Sequence, residues 1–107
     1  MDRFTALADP TRRAILEMLS KRGEMTAGDI AGQFDMSAPA VSQHLKALRE
    51  AGLVLVERQA QRRIYRVNVA AMHDIEEWAR RLQQQWERRL DALEAFLKLD
   101  ETGENGY

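Results

Sequence analysis

Cysteine is absent from all 107 residues, so disulfides, thiolate metal sites and thiol redox switches are excluded on chemical grounds. Only two prolines occur, and no stretch approaches the roughly 18 uncharged apolar residues that a bilayer-crossing helix needs. The start, Met1-Asp2-Arg3-Phe4, also lacks the charged-then-apolar layout of a secretion signal, and the expectation is a cytoplasmic protein. A large net charge is missing too, since the formal total is −1. That total hides an asymmetry: residues 1–68 hold eleven Lys and Arg against eight Asp and Glu, whereas residues 69–107 hold five against nine. Cationic groups therefore collect in the first two thirds of the chain, where an anionic partner would find them.

What is present is ordinary globular material, 45% hydrophobic and 31% charged, too apolar for a disordered chain. At this length one core is expected, over residues 1–101, with 102–107 as a flexible tail. Phe4, Leu7 and Ala8 form one stripe of a short first helix, which Asp9-Pro10 interrupts. Asp9 caps a second helix that carries Ala14, Ile15, Met18 and Leu19 at helical spacing and ends at Lys21-Arg22-Gly23. Thr26, with Asp29 three residues on, opens a third helix of about two to three turns with Ile30, Ala31 and Phe34 inward. Ser37 caps a fourth, with Pro39 in its first turn, Val41, Leu45 and Leu48 facing inward and Gly52 just past its end. Only Asp35-Met36 separates these two in this reading, which is the layout of a helix-turn-helix.

After Gly52 the period changes to that of strands. Leu53-Val54-Leu55-Val56, polar Gln59 to Arg62 and Ile64-Tyr65-Arg66-Val67 predict a β-hairpin. Its loop contains neither Gly nor Asn, so a connection longer than a two-residue primed turn is expected. From about Ala70 the helical period returns, with Ile75, Trp78, Leu82, Trp86, Leu90, Leu93 and Leu97 three or four apart over some seven turns. The predicted fold is mainly α with a small β-hairpin wing: a winged helix-turn-helix of about five helices.

The inward set on the fourth helix leaves Ala38, Pro39, Ser42, Gln43, Lys46 and Arg49 pointing outward. Small residues allow close approach to a major groove, Ser42 and Gln43 can reach base edges, and Lys46 can neutralise a phosphate. The hairpin adds Arg58, Arg62, Arg63 and Arg66 around its tip, a composition suited to the DNA backbone or minor groove. Arg12, Arg13 and Lys21 are further candidates for phosphate. A solvated helix face and a solubilising turn would explain each part alone; the pair is what points to double-stranded DNA.

Three segments carry a family resemblance: Leu7-Ala8-Asp9-Pro10-Thr11-Arg12-Arg13-Ala14-Ile15-Leu16; Ser37-Ala38-Pro39-Ala40-Val41-Ser42-Gln43-His44-Leu45-Lys46-Ala47-Leu48-Arg49-Glu50-Ala51-Gly52-Leu53-Val54; and Arg62-Arg63-Ile64-Tyr65. Over roughly residues 4 to 98 the chain resembles the arsenic-repressor (ArsR) family of winged helix-turn-helix regulators. The resemblance implies a homodimer that occupies an operator and leaves it when an inducer binds. With the outward set, it gives Ser37, Pro39, Ala40, Ser42, Gln43, Lys46, Arg62 and Arg63 as the DNA-binding residues. The chain departs from the family at the wing tip, where Gln59-Ala60-Gln61 stands in place of the acidic residue, Gly and Arg that many members carry, which leaves the position of the tip contact open to within a residue or so. The family's cysteine-pair metal site is absent. Of its last-helix metal site, only His73, Asp74, Glu76 and Glu77 are present, and no cofactor or metal is assigned.

The last stripe is longer than the residues ahead of it can cover, which predicts two-fold pairing through Phe4, Leu7, Trp78, Leu82, Trp86 and Leu93. Such a dimer sets two recognition helices about 34 Å apart and predicts an inverted-repeat operator. Two other readings stay open: a zinc- or nickel-responsive repressor using His73 and the nearby carboxylates, and a winged-helix module that binds protein rather than DNA. Ser37, Ser42, His44 and His73 form no nucleophile-base set that helical spacing could assemble, so an enzyme is not expected.

Overall fold

The computed structural model describes the backbone of residues 1–105 and the side chains of residues 1–100. Five helices and three strands follow in the order α1 (Arg3–Leu7), α2 (Pro10–Arg22), β1 (Met25–Thr26), α3 (Ala27–Ala31), α4 (Ala38–Glu50), β2 (Val54–Gln59), β3 (Arg62–Val67) and α5 (Val69–Asn105). Two units are distinguished, Met1–Met72 and His73–Tyr107. Among the described residues no helix is long and apolar enough to cross a membrane.

In the first unit, each of the first four helices is opened by a side-chain oxygen that accepts from a backbone N–H three residues on. The acceptors are Asp2 toward Thr5 at 2.7 Å, Asp9 toward Arg12 at 3.0 Å, Thr26 toward Asp29 at 3.1 Å and Ser37 toward Ala40 at 3.2 Å. Each satisfies a donor that helical geometry leaves unpaired, worth about 1 kcal/mol. The helices enclose one apolar core built from Ile15, Leu16 and Leu19 of α2, Ile30 of α3, and Val41, Leu45 and Leu48 of α4. The sheet side closes it with Met25, Leu53, Val54 and Tyr65. Ala14 and Met18, expected inside, are half-buried.

Departures from expectation occur where local geometry outranks periodicity. α3 stops at Ala31, five residues in all, because Gly32 follows and the chain tightens through bonds from Gln33 to Ile30 and from Phe34 to Ala31. Residues 32–37 therefore connect α3 to α4, not the two residues expected, and Phe34 is half-buried in that turn. The hairpin is tighter than expected: Gln59 pairs with Arg62, leaving Ala60-Gln61 as a two-residue loop with Ala60 in the left-handed region at φ +56°. A third strand is added, β1, which pairs Met25 with Tyr65 and Thr26 with Ile64 to give an antiparallel sheet ordered β1-β3-β2. Two residues carry no detectable period, so this strand had no signal to read.

The exit of α4 fixes where the hairpin starts. Gly52, at φ +75°, takes the left-handed conformation, its N–H bonds to Arg49 O and the Leu53 N–H to Leu48 O, each at 3.0 Å. This is the paired 5→2 and 6→1 arrangement of a glycine-ended helix, and the two apolar residues that the second bond joins, Leu48 and Leu53, are both fully buried. Asn68 clamps the same corner, donating Nδ2–H to Gly52 O at 2.8 Å and N–H to Leu53 O at 2.9 Å.

The second unit continues α5. Ion pairs Glu76–Arg80, Glu77–Arg81 (3.6 Å) and Glu94–Lys98 (3.5 Å), together with the Gln83–Glu87 hydrogen bond (3.1 Å), run at i,i+4 along the helix. The acid precedes the base in each ion pair, the favourable sense against the helix dipole, at about 0.2–0.5 kcal/mol per pair. Trp78, Leu82, Trp86, Leu90, Leu93 and Leu97 repeat along it and are exposed, Trp86 by 59% and Leu93 by 55%. Of the segment 102–107 expected to be a flexible tail, the helical backbone is described to Asn105; Gly106 and Tyr107, and the side chains from 101 on, lie outside the described residues.

Candidate nucleic-acid interface

Burying Val41, Leu45 and Leu48 of α4 turns the opposite flank outward, because residues three and four apart share a face. Ser42, Gln43, Lys46 and Arg49 are accordingly exposed, as are Ser37, Ala38 and Pro39 at the helix start; Ala40 is half-buried. The Ser37 hydroxyl oxygen is engaged as the helix cap, which leaves its O–H free to donate. Lys46 sits 4.0 Å from Glu50, an exposed pair of negligible strength that a phosphate can displace.

The hairpin brings its own cations against this flank. A groove of about 490 Å³ is lined by Ser42, Lys46, Arg49 and Glu50 from α4 and by Arg63 and Tyr65 from β3. Tyr65 is buried, and Arg63, two residues earlier on the same strand face, lines the groove with it. Arg62, one residue along, alternates to the other face. With Gln61 and Arg63 it borders an open hollow next to Thr26, Ala27, Gly28 and Asp29. Arg66, expected near the tip, lies further down the strand. There it is 3.7 Å from both Glu24 and Glu57, so its charge is compensated.

Two further candidates serve the scaffold. Arg12 donates from Nε to Ala6 O at 2.7 Å and from Nη2 to Thr5 O at 3.3 Å, while Arg13 donates to Leu7 O at 2.9 Å. These guanidinium groups cap the last carbonyls of α1, of which Thr5 O also accepts from Ala8 N–H at 3.2 Å. Lys21 is exposed at the end of α2. His44 is packed: its Nδ1 lies 3.5 Å from Arg12 Nη1 and 3.9 Å from Asp9 Oδ1, tying α4 to the start of α2. The Arg12 backbone N–H holds the Asp9 carboxyl below its ordinary range, with burial opposing it and the charges of His44 and Arg12 assisting. Asp2 is lowered in the same way by the Thr5 N–H.

Comparison with known proteins supplies the identity of this arrangement. Residues 9–55, from the α2 cap through α4 into β2, match the family described as bacterial regulatory protein, arsR family. A Bacillus subtilis protein, the transcriptional repressor SdpR, is 44% identical over 75 residues, 70% of this chain and 82% of its own. The chain belongs to the ArsR family. The arsenical resistance operon repressor of Escherichia coli K12 is 33% identical over 96 residues, 89% of this chain and 79% of that protein. An ArsR-like transcriptional regulator from Rhodococcus sp. RHA1 superimposes with a TM-score of 0.74 at 33% identity, covering 84% of each chain. The winged helix-turn-helix is thus that of ArsR-like regulators, and the protein is a DNA-binding transcriptional regulator.

On the last helix of this ArsR-family chain, Glu76 is paired with Arg80 and Glu77 with Arg81 in exposed i,i+4 ion pairs. Among the described residues no three His, Asp or Glu side chains gather to hold a metal ion. Sequence reasoning missed the placement of Arg58. Strand register sets Arg58 directly across from Arg63, and a cleft of about 240 Å³ is lined by Arg49, Val56, Arg58 and Arg63. Alternation along Val54, Val56 and Arg58 was a usable signal for the shared strand face, but the cross-strand partner depended on the turn length.

Proposed function

We propose that the protein is a sequence-specific repressor, acting in the cytoplasm as a two-fold homodimer on an inverted-repeat operator, with no catalytic activity of its own. The observation that carries this reading is the groove in which Ser42, Lys46 and Arg49 of α4 meet Arg63 of the hairpin. In the proposed complex, the α4 flank enters the major groove with Pro39 and Ala40 permitting close approach, and Gln43 pairs with a base edge. Ser37, Ser42 and Lys46 contact backbone or base edges, while Arg62 and Arg63 engage the adjacent backbone or minor groove.

The dimer is proposed from the apolar surface. Phe4 of α1 is 48% exposed, Leu7 is half-buried, and Trp78, Leu82, Trp86 and Leu93 are exposed along α5. The apolar side chains that repeat along α5 fit an isologous contact with a second copy, and those of α1 offer a second apolar patch. Repression by promoter occlusion suits a chain whose described elements are taken up by reading head and helix, and SdpR and the E. coli relative are both named as repressors.

The test is a titration against the duplex upstream of the protein's own gene, repeated from 50 to 200 mM salt. Expected are a specific complex, a steep fall of affinity with salt, and loss of preference for that duplex in Gln43→Ala/Arg62→Ala. Equal binding of the double variant and the parent to the specific duplex would overturn the assignment.

A further inference from the structure

The two faces of the hairpin treat their cations differently. On one, Arg66 is compensated by Glu24 and Glu57. On the other, Arg58 stands directly opposite Arg63, and the cleft they share with Arg49 and Val56 has no carboxylate in its lining. No ion pair within 4.0 Å joins Arg49, Arg58 or Arg63 to an acid among the described residues. Like charges placed directly across a strand pair repel, and three guanidinium groups around one hollow form an arrangement that an anion relieves.

Guanidinium forks match the oxygens of a phosphate bidentately. The cleft, at about 240 Å³, has room for one phosphate group and a few waters, each of which takes roughly 30 Å³. Arg49 and Arg63 also line the groove beside Ser42 and Lys46, so the two hollows share these two arginines. We propose that the cleft ringed by Arg49, Arg58 and Arg63 is a seat for a DNA backbone phosphodiester, outside the stretch read by the N-terminal half of α4. This rests on the DNA-binding reading above and extends the footprint toward the C-terminal end of α4. Arg49 and Arg58 set affinity there and carry no base preference, since phosphate contacts position a protein without reading sequence.

The experiment measures binding to the specific duplex by fluorescence anisotropy between 50 and 200 mM salt, for the full chain and for Arg49→Gln, Arg58→Gln and the double variant. Loss of one phosphate contact lowers the slope of log K against log salt by about 0.9, and the double variant is expected to show this with its order of preference among duplexes unchanged. Arg49→Lys/Arg58→Lys, which keeps the charges, retains the slope. In the DNA-free protein, Arg58→Gln removes the cross-strand repulsion and raises the melting temperature by about 1 to 3 °C at low salt, an effect that loss of a merely structural arginine does not produce. An unchanged slope and affinity in the double variant, with the parent binding normally, overturns the seat and leaves the DNA-binding reading intact. Saturable binding of inorganic phosphate, seen by NMR at the Arg Nε–Hε groups of the DNA-free protein while the slope stays unchanged, assigns the cleft to a free phosphate and overturns the backbone assignment. Failure of the parent itself to bind any duplex removes both.

Discussion

Two residues hold positive φ on either side of β2, and their side chains are the reverse of what backbone energetics favours at one of them. Gly52 at +75° ends α4, and Ala60 at +56° opens the hairpin loop. An L-residue in the left-handed region costs roughly 1–2 kcal/mol, while glycine loses about 0.5–1 kcal/mol more chain entropy on folding than alanine. The difference is about 1 kcal/mol at each site, with opposite signs. Gly52→Ala is expected to destabilise by that amount through backbone strain alone, since a Cβ at this position meets nothing within 4 Å. Ala60→Gly is expected to stabilise by about the same amount, and the double variant to return close to the parent. Urea denaturation followed by circular dichroism at 222 nm measures all four proteins at one protein concentration, since the stability of the proposed dimer depends on concentration. If Ala60→Gly proves neutral or destabilising, or Gly52→Ala costs nothing, the argument from left-handed geometry is wrong for this hairpin.

Three further outcomes are expected. Arg12→Ala removes the donors to Ala6 O and Thr5 O and is expected to lower stability by about 1–3 kcal/mol, read by thermal unfolding; an unchanged melting temperature refutes the bracing role. Trp86→Glu places a charge on the exposed α5 stripe and is expected to shift the protein to monomer in sedimentation experiments and to weaken operator binding, whereas retention of the parent's sedimentation coefficient counts against pairing through this face. Because the folded Asp9 carboxyl sits below its ordinary value, its contribution is complete above that value and disappears as the pH falls below about 4. Asp9→Asn keeps a capping oxygen, so it should flatten the acid limb of stability against pH while leaving neutral-pH stability nearly unchanged; an unaltered acid limb speaks against a charge effect.

Caps and periodicity were legible without coordinates because they are short-range. Asp9 and Ser37 each sit three residues before the N–H they bind, and the Val41, Leu45, Leu48 stripe marks which flank of α4 stays in water. The exposed reading residues Ser42, Gln43 and Lys46 follow from that stripe by subtraction. The loop was misjudged because turn propensity assigns left-handed backbone to Gly or Asn, and pairing along six strand residues outweighs the strain of one Ala.

The amino-acid order by itself determined the helix starts, the change of period after Gly52, the outward flank of α4 and the apolar stripe of α5, since each depends on spacings within a few residues. Only the tertiary structure decided which arginines share a hollow. Arg12 and Arg13 are drawn inward to the carbonyls of α1, Arg66 is matched by Glu24 and Glu57, and Arg49, Arg58 and Arg63 are left facing one another. The physical reason is that a charge's partner is set by distance through space, and arginines 5 to 14 positions apart along the chain come together only when the two-residue loop fixes the strand register and the core fixes α4 against the sheet.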